Sequence, residues 1–259
     1  MAIAINELKK FVNTDEAAEK KLRVFVGQIA AKQYERLGWE KHSGEDEADT
    51  QLRSLIISLM LYSEREDVLK NAAELYAAHP FNELDAELRV SIGVAAVRHA
   101  KGQKIVDELL SLYRSTSSGQ LQEDIAAALT ATKDSATIDR LIGLYKDTKL
   151  IRPQDLPRWY VWLLGNRYAR TKVWQWTRDN WGWLESQYKG DHIYEGIPRY
   201  IASLLITPEQ LKEYKVFFEP RLKEPAIKRN IEIGIRELTG RVELIERDGP
   251  AVRKALLDL

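Results

Sequence analysis

The sequence predicts an all-α protein made of stacked antiparallel helix hairpins. Apolar residues recur at three- and four-residue spacing, and alternating β-branched runs are missing. The segments between turn signals are rich in Ala, Leu, Glu and Lys, which favour helix. A leucine-led motif also returns with a period near 35 residues.

The elements follow in chain order. In Asp49–Ser63 the residues Leu52, Leu55, Ile56, Leu59 and Tyr62 form one apolar stripe. His79-Pro80 stops a helix, because proline disfavours helix in the residue before it. Gly102 follows another helix, and Ser115–Gly119 separates two more. Thr207-Pro208 supplies an N-cap and a proline at the first helical position. In Ala226–Ile245 a stripe of Ile227, Ile231, Ile235, Leu238, Val242 and Ile245 passes through Gly240, which predicts one long helix ended by Asp248-Gly249-Pro250. About a dozen helices are expected.

Leu52, Leu88, Leu121 and Leu156 open successive units 36, 33 and 35 residues apart. A Leu-Tyr pair closes each of the first three: Leu75-Tyr76, Leu112-Tyr113 and Leu144-Tyr145, at offsets of 23, 24 and 23. Asn180-Trp181 stands there in the fourth, and Ile197-Pro198-Arg199-Tyr200 echoes Leu156-Pro157-Arg158-Trp159 as a weaker fifth. One hairpin cannot cover its own apolar face, so such units stack as an α-solenoid of the HEAT or armadillo kind, whose concave face binds a ligand or partner.

Composition limits the function. There are 39 basic and 39 acidic residues in 259, so a nucleic-acid footprint is not expected. No apolar run approaches a membrane span and no signal peptide opens the chain, so a cytoplasmic protein is expected. Without cysteine there are no disulfides, thiolate nucleophiles or Cys-based zinc sites, and the phosphate-loop, dinucleotide and serine-hydrolase motifs are missing. None of the histidines His42, His79, His99 and His192 begins H-E-x-x-H, and His192 with Glu195 is two ligands where a catalytic zinc takes three. His192 is expected to cap or be solvated. Glu45, Asp46, Glu47 and Asp49 read better as a helix start than as a cation loop, since the EF-hand pattern is not present.

Six of the seven tryptophans fall between Ile151 and Asp191: Trp159, Trp162, Trp174, Trp176, Trp181 and Trp183. Core packing is expected for most of them, with Trp159, Trp162 and Leu163 on one helix face and Trp174, Trp181 and Leu184 on the next. A ligand surface carrying Trp176, Trp183 or Arg158 is the other reading.

The chain resembles the C-terminal helical domain of the aminopeptidase N family of zinc metallopeptidases. The likeness rests on Leu37-Gly38-Trp39 followed by an acidic loop and Gln51-Leu52-Arg53, on Leu88-Arg89, on Arg152-Pro153-Gln154-Asp155, on WQWTRDNW from Trp174 to Trp181, and on Phe217-Phe218. The order and spacing of these pieces, more than any one of them, carry it. The family's H-E-x-x-H helix and Gly-Ala-Met-Glu-Asn segment have no counterpart here, so no catalytic residue or metal ligand carries over.

The resemblance implies a bowl of helical hairpins that closes a peptide chamber over a zinc domain of the same polypeptide, the zinc belonging to that domain. It implies peptide substrates as partners, and Arg53, Gln154 and Arg158 as candidate substrate contacts on the inner face. It also implies that residues 17–259 form the helical-repeat domain, that 1–16 is the remnant of a cut hairpin, and that Met1 is a start added to a shortened reading frame. A free-standing helical-repeat scaffold that binds a protein partner is the alternative, and an all-helical enzyme using unrecognised carboxylates is a third.

Overall fold

The computed structural model describes residues 2–99 and 102–259; the expectation for Met1 therefore lies outside the described residues. Those residues form fourteen α-helices and three short 3-10 turns, and no strand. The protein is all-α. The chain divides into two compact units, one of residues 1–132 with 250–259, the other of residues 133–249. The sequence reading does not place that division.

The first unit holds α1 (Ala2–Val12), α2 (Glu16–Leu37), α3 (Glu47–Ser63), α4 (Glu66–Ala78), α5 (Ala86–His99), α6 (Lys104–Ser115) and α7 (Gly119–Thr130). Helix α3 packs on α2, α5 on α3 and α7 on α5, so the opening helices of the first three repeats lie in one row. Helices α4 and α6 pack beside them. Of the repeat's marker residues Leu88, Leu121, Tyr113 and Tyr145 are buried, whereas Leu52, Leu75 and Tyr76 are half-buried. On α3 the buried arc is Arg53, Ile56, Ile57, Leu59 and Met60, while Leu55 is 39% exposed. The expected stripe is thus rotated, because α3 lies against α2 on one side and α5 on the other.

The stop signals act through caps. Asp15, Asp46 and Ser118 each accept a backbone N–H of the first turn of α2, α3 and α7. Helix α4 ends where His79, extended before Pro80, leaves helical geometry. Gly93 lets α5 approach its neighbours closely: a Cβ there would lie 2.6 Å from Phe81 Cε2 and 3.0 Å from Ala128 Cβ.

The second unit holds α8 (Ser135–Gly143), α9 (Leu156–Gly165), α10 (Arg170–Asp179), α11 (Trp181–Tyr188), α12 (His192–Leu204), α13 (Pro208–Phe218) and most of α14 (Pro225–Leu257). Thr207 and Gln210 form the capping box of α13. Two sequence expectations fail here. Helix α14 continues through Gly249-Pro250 to Leu257, with the proline inside it. The echo at Ile197-Pro198 falls in the middle of α12, not at a helix start as Leu156-Pro157 does.

The core of this unit is aromatic. Trp159, Trp174 and Trp181 are 1%, 1% and 5% exposed, whereas Trp162, Trp176 and Trp183 are half-buried. Trp174 and Trp181 sit on α10 and α11, separate helices that meet at Asn180. Both pack on Phe217 and Phe218, with ring centroids 5.3–6.2 Å apart. The Phe217-Phe218 pair and WQWTRDNW are therefore one packing unit. Tyr214 packs on Phe218 at 4.6 Å and donates to Pro198 O at 3.0 Å.

Candidate functional site

Helix α9 opens with Leu156-Pro157, so its first turn needs one backbone donor fewer to be satisfied. Its inner face buries Leu156, Trp159, Tyr160, Leu163 and Leu164. Arg158 and Trp162, four residues apart, stand on the outer face with the guanidinium carbon 5.9 Å from the ring centroid. Arg170 is 8% exposed and donates to the carbonyls of Leu164 and Gly165, satisfying the C-terminus of α9. Burial lowers the Arg170 guanidinium to about 10, with Arg167 and Arg241 adding to the effect.

A cavity of about 390 Å³ opens between α9, α11 and α12. Trp162, Tyr188 and Tyr200 give it aromatic walls, and Ile193 and Ile197 supply aliphatic surface. Ile193, Ile197 and Tyr200 fall four and three residues apart, on one face of α12. The Tyr188 hydroxyl donates to Pro153 O at 2.7 Å, tying the loop that carries Gln154 to α11. Burial, assisted by Asp191, pushes the Tyr188 phenol up to about 12, so it remains a neutral donor. Gln154, Arg158 and His192 line the same cavity, which has no carboxylate in its wall. His192 is the exposed first residue of α12, 2.8 Å from Asp191, the N-cap.

This volume and lining suit recognition. Sites that hold small molecules or side chains are concave and mostly apolar, with a few polar groups to fix orientation. The structure brings together two of the three expected contact residues, Gln154 and Arg158. Arg53 is elsewhere, in the first unit. It is 4% exposed, donates through Nε to Leu37 O at 3.1 Å, and grips both carboxylate oxygens of Glu45.

The acidic cluster is a helix start, as its sequence suggests. Asp46 caps α3, Glu45 pairs with Arg53 and Asp49 pairs with Arg36. Among the described residues no group of three His, Asp or Glu side chains could hold a metal ion. No described helix is long and apolar enough to cross a membrane.

Trp162, Tyr188, His192 and Tyr200 were not singled out as contacts by the sequence. The spacing of Ile193, Ile197 and Tyr200 was the available signal, but an apolar stripe on one helix does not say which part of it remains uncovered.

Comparison with known proteins supplies the class. The model of the ERAP1-like C-terminal domain matches residues 2–239. Aminopeptidase N of Lactococcus lactis subsp. cremoris strain MG1363 is 34% identical over 257 residues, 98% of this chain. Aminopeptidase N of Lactobacillus helveticus is 33% identical over 252 residues, 96% of this chain. Aminopeptidase A of Gloydius brevicauda is 24% identical over 219 residues, 84% of this chain. The chain belongs to the C-terminal domain family of aminopeptidase N-type proteins. It spans 30% of the length of the two aminopeptidase N relatives and 23% of the Gloydius brevicauda protein.

Proposed function

We propose that this chain is the non-catalytic C-terminal part of a zinc-dependent aminopeptidase. It closes the peptide chamber over a zinc-bearing catalytic domain of the same polypeptide and helps admit and position peptides. The reading rests on the groove between α9, α11 and α12. Its aromatic walls accept apolar side chains, while Gln154 and Arg158 offer donors to peptide carbonyls. Such remote contacts place a substrate without touching the reacting bond. Zinc, in this reading, is held entirely by the catalytic domain.

The test is direct. The purified chain is titrated with an unstructured peptide that carries apolar and aromatic residues and is labelled for fluorescence anisotropy. Saturable binding that weakens in Trp162→Ala and Arg158→Gln supports the reading. Equal binding by both variants overturns the groove assignment. Zinc-dependent hydrolysis of an aminoacyl-anilide by this chain alone overturns the non-catalytic role.

A further inference from the structure

A second cavity, of about 230 Å³, lies within the first unit between α1, α2, α3 and α5. Its wall carries Lys9, Arg23 and Arg98, with Glu64 the one carboxylate among its lining residues. The charge is therefore unbalanced, three permanent or near-permanent cations against one anion, and His99 adds another charge when protonated. Glu64 is already engaged: it pairs with Arg23, and its other oxygen lies 3.7 Å from His99 Nε2. Glu19, just outside the wall, pairs with Arg23 at 2.9 Å.

Lys9 is the unusual member. Its ammonium donates to Asn6 Oδ1 at 3.2 Å and stands 3.9 Å from the centroid of the Tyr62 ring. No carboxylate pairs with it among the described residues. The Tyr62 hydroxyl is buried beside it with no hydrogen-bond partner. A half-buried ammonium normally sits beside an acid, because the desolvation cost is otherwise uncompensated. Here its charged neighbours are Arg98 and Arg23, which repel it.

We propose that this cavity is a binding site for a small polyvalent oxyanion of the phosphate or sulfate class, held by Lys9, Arg23 and Arg98 with the Tyr62 hydroxyl as a further donor. The site is independent of the peptide groove. An oxyanion would offset the excess charge, give Lys9 an anionic partner and satisfy the phenol. Charge-assisted bonds from guanidinium and ammonium groups are the usual means of holding such ions. The volume is several times the ~30 Å³ that one water occupies, so the ion enters with part of its hydration.

The charged and titratable groups around Lys9 are Glu19 and Arg23 on α2, Tyr62 on α3, Glu64 at the C-cap of that helix, and Arg98 and His99 on α5. Burial lowers the Lys9 ammonium to about 8, with Arg98 and then Arg23 adding to the effect, while burial raises the Tyr62 phenol above its ordinary value. Anion affinity is thus expected to fall as pH rises through about 8 and Lys9 loses its proton.

Sulfate is the better probe, because it remains a dianion throughout that range. The full chain is titrated with sodium sulfate, and separately with phosphate, by calorimetry at constant ionic strength. One saturable site is expected, weakened about tenfold in Lys9→Met and in Arg98→Gln, as losing one charge-assisted contact implies. Lys172→Gln, at a half-buried lysine of the second unit paired with Asp139, serves as control and leaves it unchanged. Lys9→Met removes a half-buried charge, and its thermal melt shows whether the variant is folded. The fall in sulfate affinity between about pH 7 and about pH 9 disappears in that variant. Absence of saturable binding to either ion overturns the proposal. So does binding that Lys9→Met and Arg98→Gln leave intact.

Discussion

The guanidinium of Arg53 is held by both carboxylate oxygens of Glu45, and each side chain is 4% exposed. This pair joins the loop before α3 to the body of the helix, and the bond that Arg53 Nε donates to the Leu37 carbonyl ties in the end of α2. Arg53 lowers the Glu45 carboxyl to about 2 from an ordinary 4.5, against the opposing effect of burial. A carboxylate depressed in the folded state adds stability above its unfolded pKa, and that stability is lost as pH falls toward the folded value. Glu45→Gln should therefore flatten the acid limb of stability between about pH 4.5 and about pH 2. Denaturant midpoints at about pH 7 and about pH 3 check this.

Lys9 has the opposite profile. Its ammonium is depressed to about 8 from 10.5, so the unfolded chain holds its proton more tightly than the folded one. Stability should rise with pH between those two values, by up to about 3 kcal/mol. Lys9→Met should remove that rise and be the more stable protein at neutral pH. Thermal melts in anion-free buffer measure it.

Gly234 lies under the Tyr214 ring. A Cβ there would stand 2.5 Å from the Tyr214 hydroxyl and 3.0 Å from Ala202 Cβ. The phenol cannot swing aside without losing its bond to Pro198. Gly234→Ala should cost about 1–3 kcal/mol by overpacking. Adding Tyr214→Phe should cost less than the sum of the two single changes, and a double-mutant cycle by denaturation tests this.

Arg170→Met should destabilise by about 1–3 kcal/mol, since it leaves the Leu164 and Gly165 carbonyls without their donor. The loss should appear in thermal melts and leave groove residues chemically intact.

Two tryptophans should separate sharply. Trp174, 1% exposed and bonded to Glu213 at 2.8 Å, should cost about 3–5 kcal/mol when replaced by alanine. Trp162→Ala should cost much less and act instead on peptide binding. Paired unfolding and anisotropy titrations distinguish the two effects.

The helical class was legible because it depends on local spacing, and the cap at Thr207 and the helix start in the acidic cluster at Glu45–Asp49 were legible because both are set by nearby residues. The extent of α14 was not, since Gly249-Pro250 reads as a stop. Within a helix, proline removes only one backbone donor and disturbs the turn before it, a cost that packing beyond it can outweigh. The repeat was legible where Leu88 and Leu121 open helices. It misled at Ile197-Pro198, where a similar string lies mid-helix. Of the candidate contacts, Gln154 and Arg158 share a groove. Arg53 is spent on Glu45, a pairing across eight residues that helical spacing alone does not reveal.

The tryptophan-rich stretch places two demands on neighbouring residues. Trp159, Trp174 and Trp181 fix how the helices meet, whereas Trp162 lines an open groove. Relatives could therefore diverge along this stretch at two tempos. The enclosed rings change only together with Phe217 and Phe218, while the residue at 162 drifts singly with the preference of the groove. A saturation library across residues 151–191, scored separately for abundance and for binding, should resolve the stretch into these two interleaved sets.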